Sequence, residues 1–395
     1  MSSVQRLFTT LMLLILLPSS LATVHAQEAA ELQITSERYI VVDAATGHVF
    51  AQRGANDRVP IASLTKVFTA VQAMEMAPLD TPVITKDSDL RSPEGTYFGT
   101  SGTLMGFGTD EPYTLEDMLY GMLLPSGNDA ANAIARTLGA RPGDSDAEAV
   151  QHFMDLLNQR IADMGLEDTF LKNPHGWGVE GHYSSASDVA AFNRFITHYP
   201  ALMGIMGTDS YTTSNGFLTV NNTNRSLNQY PSVEAGKTGF DLDAGYCLIN
   251  IARRDETEMI AVTLDGVAPG DWYDDNATLL DYGFDQQAEL LTSGVAFQGD
   301  VATFVDPSTA SIARSARPST AFVPGQTVAE AEGRPPEPVV VAREPEPPTI
   351  SEGSLWIAAV AAIGLLGYRG LLSFRGPSRH RHTKPPASSV SSAID

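Results

Sequence analysis

The sequence predicts an α+β fold: an antiparallel sheet flanked by helices, with a further helical region between its strands. Three observations carry this expectation. Strand-type apolar runs occur near residue 40 and again beyond residue 236. Between them, apolar residues recur repeatedly at helical spacing. Strands that are remote in sequence, with helices between, bury their apolar faces only by meeting in one sheet under those helices.

Taken in order, Tyr39-Ile40-Val41-Val42, a turn at Thr46-Gly47 and His48-Val49-Phe50 read as a β-hairpin. From Ser63 to Met76, Leu64, Val67, Phe68, Val71 and Met74 mark one buried helix face, and Ser63 and Lys66 lie off that stripe. The Gly-, Ser- and Thr-rich stretch from Asp87 to Pro112 reads as a long exposed loop. Leu115, Met118, Leu119, Met122 and Leu123 form the next helix stripe, capped by Thr114. After Pro125-Ser126-Gly127-Asn128 a helix runs from about Asp129 to Leu138. Ser145-Asp146-Ala147-Glu148 is a capping box opening the stripe Val150, Phe153, Met154, Leu157 and Ile161. A further helix covers Ser187 to His198. Lys237 to Phe240, Gly245 to Ala252 and Met259 to Leu264 then read as three successive strands, followed by a helix near Asn276 to Tyr282.

The two ends of the chain are of another character. Arg6, the apolar run Leu7 to Leu17 and Val24-His25-Ala26 make residues 1–26 a signal peptide. Beyond about Phe284 the pattern weakens, and residues 331–349 are acidic and proline-rich, as an extended linker is. Leu355 to Tyr368 is apolar or small throughout, shorter than the ~20 residues a spanning helix needs. Leu371, Leu372 and Phe374 supply the rest if Arg369 snorkels, and the basic run from Arg375 to Lys384 fits a cytoplasmic flank. The expected organisation is therefore a signal peptide (1–26), a folded domain (27–285), a weakly structured linker (286–353), a transmembrane anchor (354–374) and a basic tail (375–395). An interfacial helix is the alternative to the anchor.

Of 395 residues, 43% are hydrophobic, and the formal charge is −22. Such an acidic surface repels phosphate backbones and argues against nucleic acid as a partner. The single Cys247 excludes an intramolecular disulfide and a cysteine-rich metal site, and it reads as a core residue of its strand. His175 and His182 lack an accompanying His-Glu-x-x-His pattern, and His380-Arg381-His382 reads as basic flank, so no metal or other cofactor is expected.

Three short motifs occur in order: Ser63-x-x-Lys66, Ser126-x-Asn128 and Lys237-Thr238-Gly239. Ser63 and Lys66, three apart on a helix, share a face. A neutral amine beside a serine can take its proton and make it a nucleophile. The bland alternative is an N-capping serine and a surface lysine. Ser226-Leu227-Asn228 also matches the middle pattern, but it lies in a polar loop, whereas Ser126 sits at a junction of two helices. Order, spacing and context together make the set specific. With Ser126-Gly127-Asn128-Asp129-Ala130-Ala131, Asn173-Pro174-His175-Gly176, Tyr183 to Asp188 and Ala244-Gly245-Tyr246, the chain over roughly 35–285 resembles the serine D-Ala-D-Ala carboxypeptidases. These are the low-molecular-mass penicillin-binding proteins, which share a fold with the serine β-lactamases.

The resemblance implies that 27–285 is the catalytic domain, exported to the outer face of the cytoplasmic membrane. It trims the terminal D-alanine from peptidoglycan stem peptides and is acylated by β-lactams. Ser63 is then the nucleophile, Lys66 its base and Ser126 the proton relay to the leaving amine. Asn128 holds Lys66 and the substrate amide, Lys237 and Thr238 take the terminal carboxylate, and Gly239 lets the substrate backbone lie against its strand. The oxyanion hole is made by the backbone N–H groups of Ser63 and Phe240. Many relatives have histidine and then threonine after the glycine, where this chain has Phe240-Asp241.

Two alternatives stand beside this reading. A class A β-lactamase carries a deacylating glutamate with an asparagine four residues on, but Glu148, Glu167 and Glu180 are followed there by His152, Leu171 and Ser184. A catalytically inactive cell-wall-peptide binding module would be free to lose Ser63, Lys66 and Lys237, and all three are present.

Overall fold

Strands from the two ends of the domain meet at the centre of one sheet. In the computed structural model, which describes residues 32–302 except 100, 101, 268–270, 295 and 298, β1 (Arg38–Asp43) pairs antiparallel with β2 (Val49–Arg53). On its other side β1 pairs with β9 (Thr257–Gly266), from Arg38 opposite Leu264 to Asp43 opposite Met259. β8 (Gly245–Arg254) and β7 (Val233–Asp241) complete the order β2-β1-β9-β8-β7, every neighbour antiparallel. β7 is therefore an edge strand, with one row of its backbone groups free of the ladder.

Both faces of the sheet are covered. Side chains alternate across a strand, so Val41, Met259 and Ala261 pack with Leu279, Leu280 and Phe284 of the last helix. Ile40, Val42, Ile260 and Val262 join the main core under the other helices. This two-sided burial is why Tyr39–Val42 and Met259–Val262 read as runs of apolar residues rather than as alternation. The helices are α1 (Thr65–Met76), α2 (Leu115–Leu123), α3 (Asn128–Gly139), α4 (Asp146–Asp163), α5 (Ala186–Ile196), α6 (Pro200–Gly207), α7 (Ser226–Gln229) and α8 (Asp271–Ser293). Thr114 caps α2 and Ser145 caps α4, each through a capping box.

Several expectations need correction. Ser63 does not begin the helix: it lies in a 3₁₀ turn, Ala62–Leu64, and its side chain caps neither that turn nor α1. Every residue of α1 from Thr65 to Ala73 is buried, so a position off the apolar stripe is no solvent-facing position, and Lys66 is 0% exposed. The stretch from Asp87 to Pro112 is not a bare loop. It holds a 3₁₀ turn, Asp87–Leu90, and ends at β4 (Pro112–Thr114), which pairs with β3 (Pro82–Ile84). Arg136 of α3 clamps Asp89 in a buried ion pair at 2.7 Å, and Phe98, Met105 and Phe107 are core residues. Removing one partner of such a pair typically costs about 3–5 kcal/mol, because the other charge is left stranded.

Three elements carry no clear sequence pattern. They are α6, α7 and the hairpin of β5 (Ser210–Thr212) and β6 (Thr219–Asn221). Strands of three residues are too short for alternation to register, and α6 is apolar on nearly every side. The final helix is far longer than its predicted core, running eight residues beyond 285 to Ser293. The chain then returns to the β2 edge, where Val301 bridges His48 and the Ala302 N–H donates to Gly47 O at 2.8 Å. The packed domain thus reaches residue 302. Among the described residues no helix is long and apolar enough to cross a membrane. The signal peptide, most of the linker, the anchor and the tail lie outside the described residues.

Candidate active site

The Ser63 turn is a strained piece of backbone held from three sides. Ala62 has φ +44°, a left-handed value that non-glycine residues adopt at a cost of order 1–3 kcal/mol. Beneath it, Thr65 Oγ1 donates to Ala62 O at 2.9 Å. His182 supports that hydroxyl: Nδ1 accepts the Lys172 N–H at 3.1 Å, so the neutral ring carries its proton on Nε2, 2.8 Å from Thr65 Oγ1. Burial, and then the charge of Lys66, push His182 down to about 4, which keeps it neutral. The Asn173–Gly176 loop buttresses another side. Gly176 sits at φ +86°, and a Cβ there would come 1.9 Å from Ala62 O. Asn173 Oδ1 fixes the loop by accepting the Gly176 N–H at 2.7 Å.

The third support is β7, at Gly239. A Cβ at Gly239 would stand 3.0 Å from Ile61 O and 3.2 Å from Ser63 N. The missing side chain therefore admits the Ser63 turn against the strand, while Gly239 also lines the cleft. This leaves the Ser63 N–H and the free edge of β7 side by side.

Lys66 Nζ is the hub of the site. It lies 2.8 Å from Ser63 Oγ, 2.7 Å from Asn128 Oδ1 and 2.7 Å from His175 O. A neutral amine has two N–H groups and one lone pair. In that form the two carbonyl oxygens would accept the N–H groups, leaving the lone pair for the Ser63 hydroxyl. Burial is the largest cause holding Lys66 well below the ordinary lysine value, the charge of Lys237 adds to it, and Asp129 opposes both. Asp129 itself is occupied in holding the neighbouring loop, accepting the N–H groups of Met105 and Gly106 at 2.8 Å each.

Ser126 and Asn128 stand at the α2–α3 junction, where Ser126 takes φ +67°. Its Oγ accepts from Lys237 Nζ at 3.0 Å, and the same amine donates to Thr238 O at 2.9 Å. Lys237 is 1% exposed, and burial pushes it down to about 7. It thus sits under Ser126 and Thr238 rather than in the open cleft. Thr238 Oγ1 faces the cleft, 2.7 Å from Thr223 Oγ1. The cleft has a volume of about 590 Å³, and Ser63, Ser126, Asn128, Thr238 and Phe240 all line it.

All the residues singled out in the sequence converge here, and the rival Ser226 does not. It accepts from Asn250 Nδ2 at 2.9 Å in a buried amide network. Sequence reasoning missed the His175 carbonyl, the Thr65–His182 strut and Thr223. The first is a backbone contribution, invisible to residue type. The other two are ordinary polar residues until the fold brings their partners to them. Cys247 is buried in β8, where burial pushes its thiol up to about 12, consistent with a core residue.

Comparison with known proteins shows the family. A family model described as D-alanyl-D-alanine carboxypeptidase matches residues 23–268. The D-alanyl-D-alanine carboxypeptidase DacF of Bacillus subtilis is 31% identical over 290 residues, 71% of this chain and 72% of that protein. DacA of Escherichia coli is 29% identical, over 71% of this chain and 69% of its own length. Among solved structures, a D-alanyl-D-alanine carboxypeptidase from Mycobacterium tuberculosis has a TM-score of 0.57 and 27% identity, covering 64% of this chain and 92% of that one. The Streptomyces K15 DD-transpeptidase gives 0.57 and 25%, covering 64% and 98%. The chain belongs to the D-alanyl-D-alanine carboxypeptidase family, the serine-type hydrolases of the penicillin-binding fold.

Proposed function

We propose that Ser63 is the nucleophile by which this carboxypeptidase removes the terminal D-alanine from peptidoglycan stem peptides. The observation that carries the assignment is Lys66 Nζ, buried, held by two carbonyl oxygens and presented to Ser63 Oγ at 2.8 Å. Ser63 Oγ attacks the carbonyl carbon between the two D-alanines while its proton passes to Lys66. The oxyanion that forms is stabilised by the backbone N–H groups of Ser63 and Phe240. This is supported by the packing of Gly239 on the Ser63 turn and by the edge position of β7. The C–N bond then breaks, the leaving amine takes a proton through Ser126, and an ester remains on Ser63. Water hydrolyses that ester and restores the serine. Asn128 positions Lys66, and Thr238 and Ser126 receive the terminal carboxylate over the charge of Lys237.

The test is a penicillin pulse followed by intact mass, together with D-alanine release from a D-Ala-D-Ala peptide. The expected result is one penicilloyl group per chain, lasting minutes or longer, and stoichiometric release of D-alanine. Penicillin turnover at many per second would instead favour a β-lactamase. Lys237→Ala is expected to slow acylation by carboxylate-bearing and amidated peptides alike, about tenfold to a hundredfold for one charge-assisted contact. The reason is that Nζ reaches Ser126, not the open cleft. A loss confined to carboxylate substrates would put Nζ directly on the substrate.

Export by the leader at 1–26 and anchoring by 354–374, with the acidic linker between domain and membrane, complete the proposal. A chain ending at Gly353 is expected to leave the membrane fraction with its activity intact. Retention after an alkaline wash would count against residues 354–374 as the anchor.

A further inference from the structure

The cleft that holds Ser63 is also walled by Asp241 and Asp243, at the turn from β7 to β8. Their outer oxygens converge. The point where a side chain on Gly178 would begin is 3.6 Å from Asp241 Oδ2 and 3.7 Å from Asp243 Oδ2. Asp241 Oδ1 is committed to the hairpin, accepting the N–H groups of Asp243 at 2.9 Å and Ala244 at 2.7 Å. Asp241 Oδ2 is buried and has no hydrogen-bond partner, and neither carboxylate forms an ion pair among the described residues. Two cations whose partners flank the side pocket are engaged elsewhere. Arg58 binds Asp168 at 2.8 Å and lies over the Tyr183 ring, and Lys172 lies over the Phe170 ring. A side pocket of about 370 Å³ opens beside the cleft, shares Gly178, Asp241 and Asp243 with it, and adds Glu180.

A desolvated carboxylate oxygen without a partner is costly, and here it borders the space through which a peptide must pass. The direction of β7 says which part of the peptide that is. The leaving residue's carboxylate lies at Thr238 and the scissile oxygen at the Phe240 N–H in the orientation proposed above. The acyl half of the substrate then continues past Asp241, at about 3.3 Å per residue. The exposed ring of Phe240 packs on Tyr246 at 4.5 Å, and Tyr246 on Trp272 at 5.4 Å, a surface suited to an alkyl stem with a charged end. The cleft is thus bipolar, with the buried Lys237 amine under the carboxylate end and two carboxylates that form no ion pair among the described residues toward the acyl end.

From this we infer that Asp241 and Asp243 are specificity determinants that read an alkylammonium side chain on the acyl half of the peptide. The inference rests on the carboxypeptidase reading and on its substrate orientation.

The experiment compares Nα-acetyl-lysyl-D-alanyl-D-alanine with its free side-chain amine against the same peptide acetylated or succinylated there. Penicillin labelling runs alongside as a reference that has no such amine. The wild type is expected to favour the free amine by roughly fivefold to tenfold in kcat/KM, as for one partly exposed charge-assisted contact, and added salt should shrink the ratio. In Asp241→Asn with Asp243→Asn the ratio should fall toward one. Asparagine keeps the Oδ1 acceptor that holds the hairpin, and penicillin labelling reports whether the site is still formed. Asp243→Lys should move the preference toward the succinylated peptide, a gain that misfolding cannot imitate. Equal use of free and acetylated peptides by the wild type overturns the inference, as does a preference that survives both Asp→Asn changes. If the wild type takes up penicillin but cleaves none of the peptides, the carboxypeptidase reading falls, and this inference with it.

Discussion

Ser63→Ala is expected to abolish penicillin labelling and D-alanine release, with a loss of at least about 10³-fold, as for removal of a covalent nucleophile. The protein should remain folded. Ser63 is half-buried and caps no helix, so the change removes a single contact, Lys66 Nζ to Ser63 Oγ, and opens no cavity in the core. A change of that kind shifts stability by only about 0.5 kcal/mol. Intact mass after a penicillin pulse and a thermal denaturation curve check both halves. A penicilloyl group found on another residue would remove Ser63 as nucleophile. A collapse of the melting temperature would mean that the Ser63–Lys66 contact helps to hold the strained turn.

Local chemistry was the legible part of this fold. Thr114 and Ser145 announce their helices because a cap and its partner lie three residues apart in the chain. The strands β1, β8 and β9 announce themselves because a strand covered on both faces must be apolar throughout. The site was legible for a related reason. Each of its three motifs is a local pattern on one element, and the sheet brings those elements together.

What stayed hidden depends on the surroundings of a residue. The helical stripe alone does not signal that α1 is buried on every side, and that burial is the largest cause holding the Lys66 amine below the ordinary lysine value. Nothing at Gly239 distinguishes room for a substrate from room for Ile61 and Ser63. The glycine-rich stretch after Asp87 read as exposed because its anchors, Phe98, Met105 and Asp89, find their partners only in the folded chain. His182 offers a ring that sequence could read as a ligand, but both of its nitrogens are used in holding the turn.

Lys66 carries the second large effect, and it can be read in both rate and stability. Lys66→Met should slow acylation of Ser63 by roughly 10²–10⁴-fold, the usual contribution of a general base. In the wild type, acylation requires Lys66 neutral, so the rate falls as pH drops through its lowered pKa. Lys237, down at about 7, loses its charge as pH rises and with it the charge-assisted hold on Ser126, so acylation should also lose rate on the alkaline side. Penicillin and peptide acylation should therefore follow a bell, with Lys66 on its acid limb. The stability argument is independent of substrate. In the unfolded chain Lys66 titrates near ~10.4, but folded it gives up its proton well below that value, because burial penalises the charge. Between those two pKa values the unfolded state binds the extra proton, so stability rises with pH across that window and falls as pH drops toward the folded value. Methionine has no proton to bind, and the variant loses this part of the slope. The measurement is the melting temperature of wild type minus that of Lys66→Met, taken at pH 6 to 10. The difference should climb steadily with pH. A flat difference would mean that Lys66 keeps its proton in the folded protein, and the serine would then need another base.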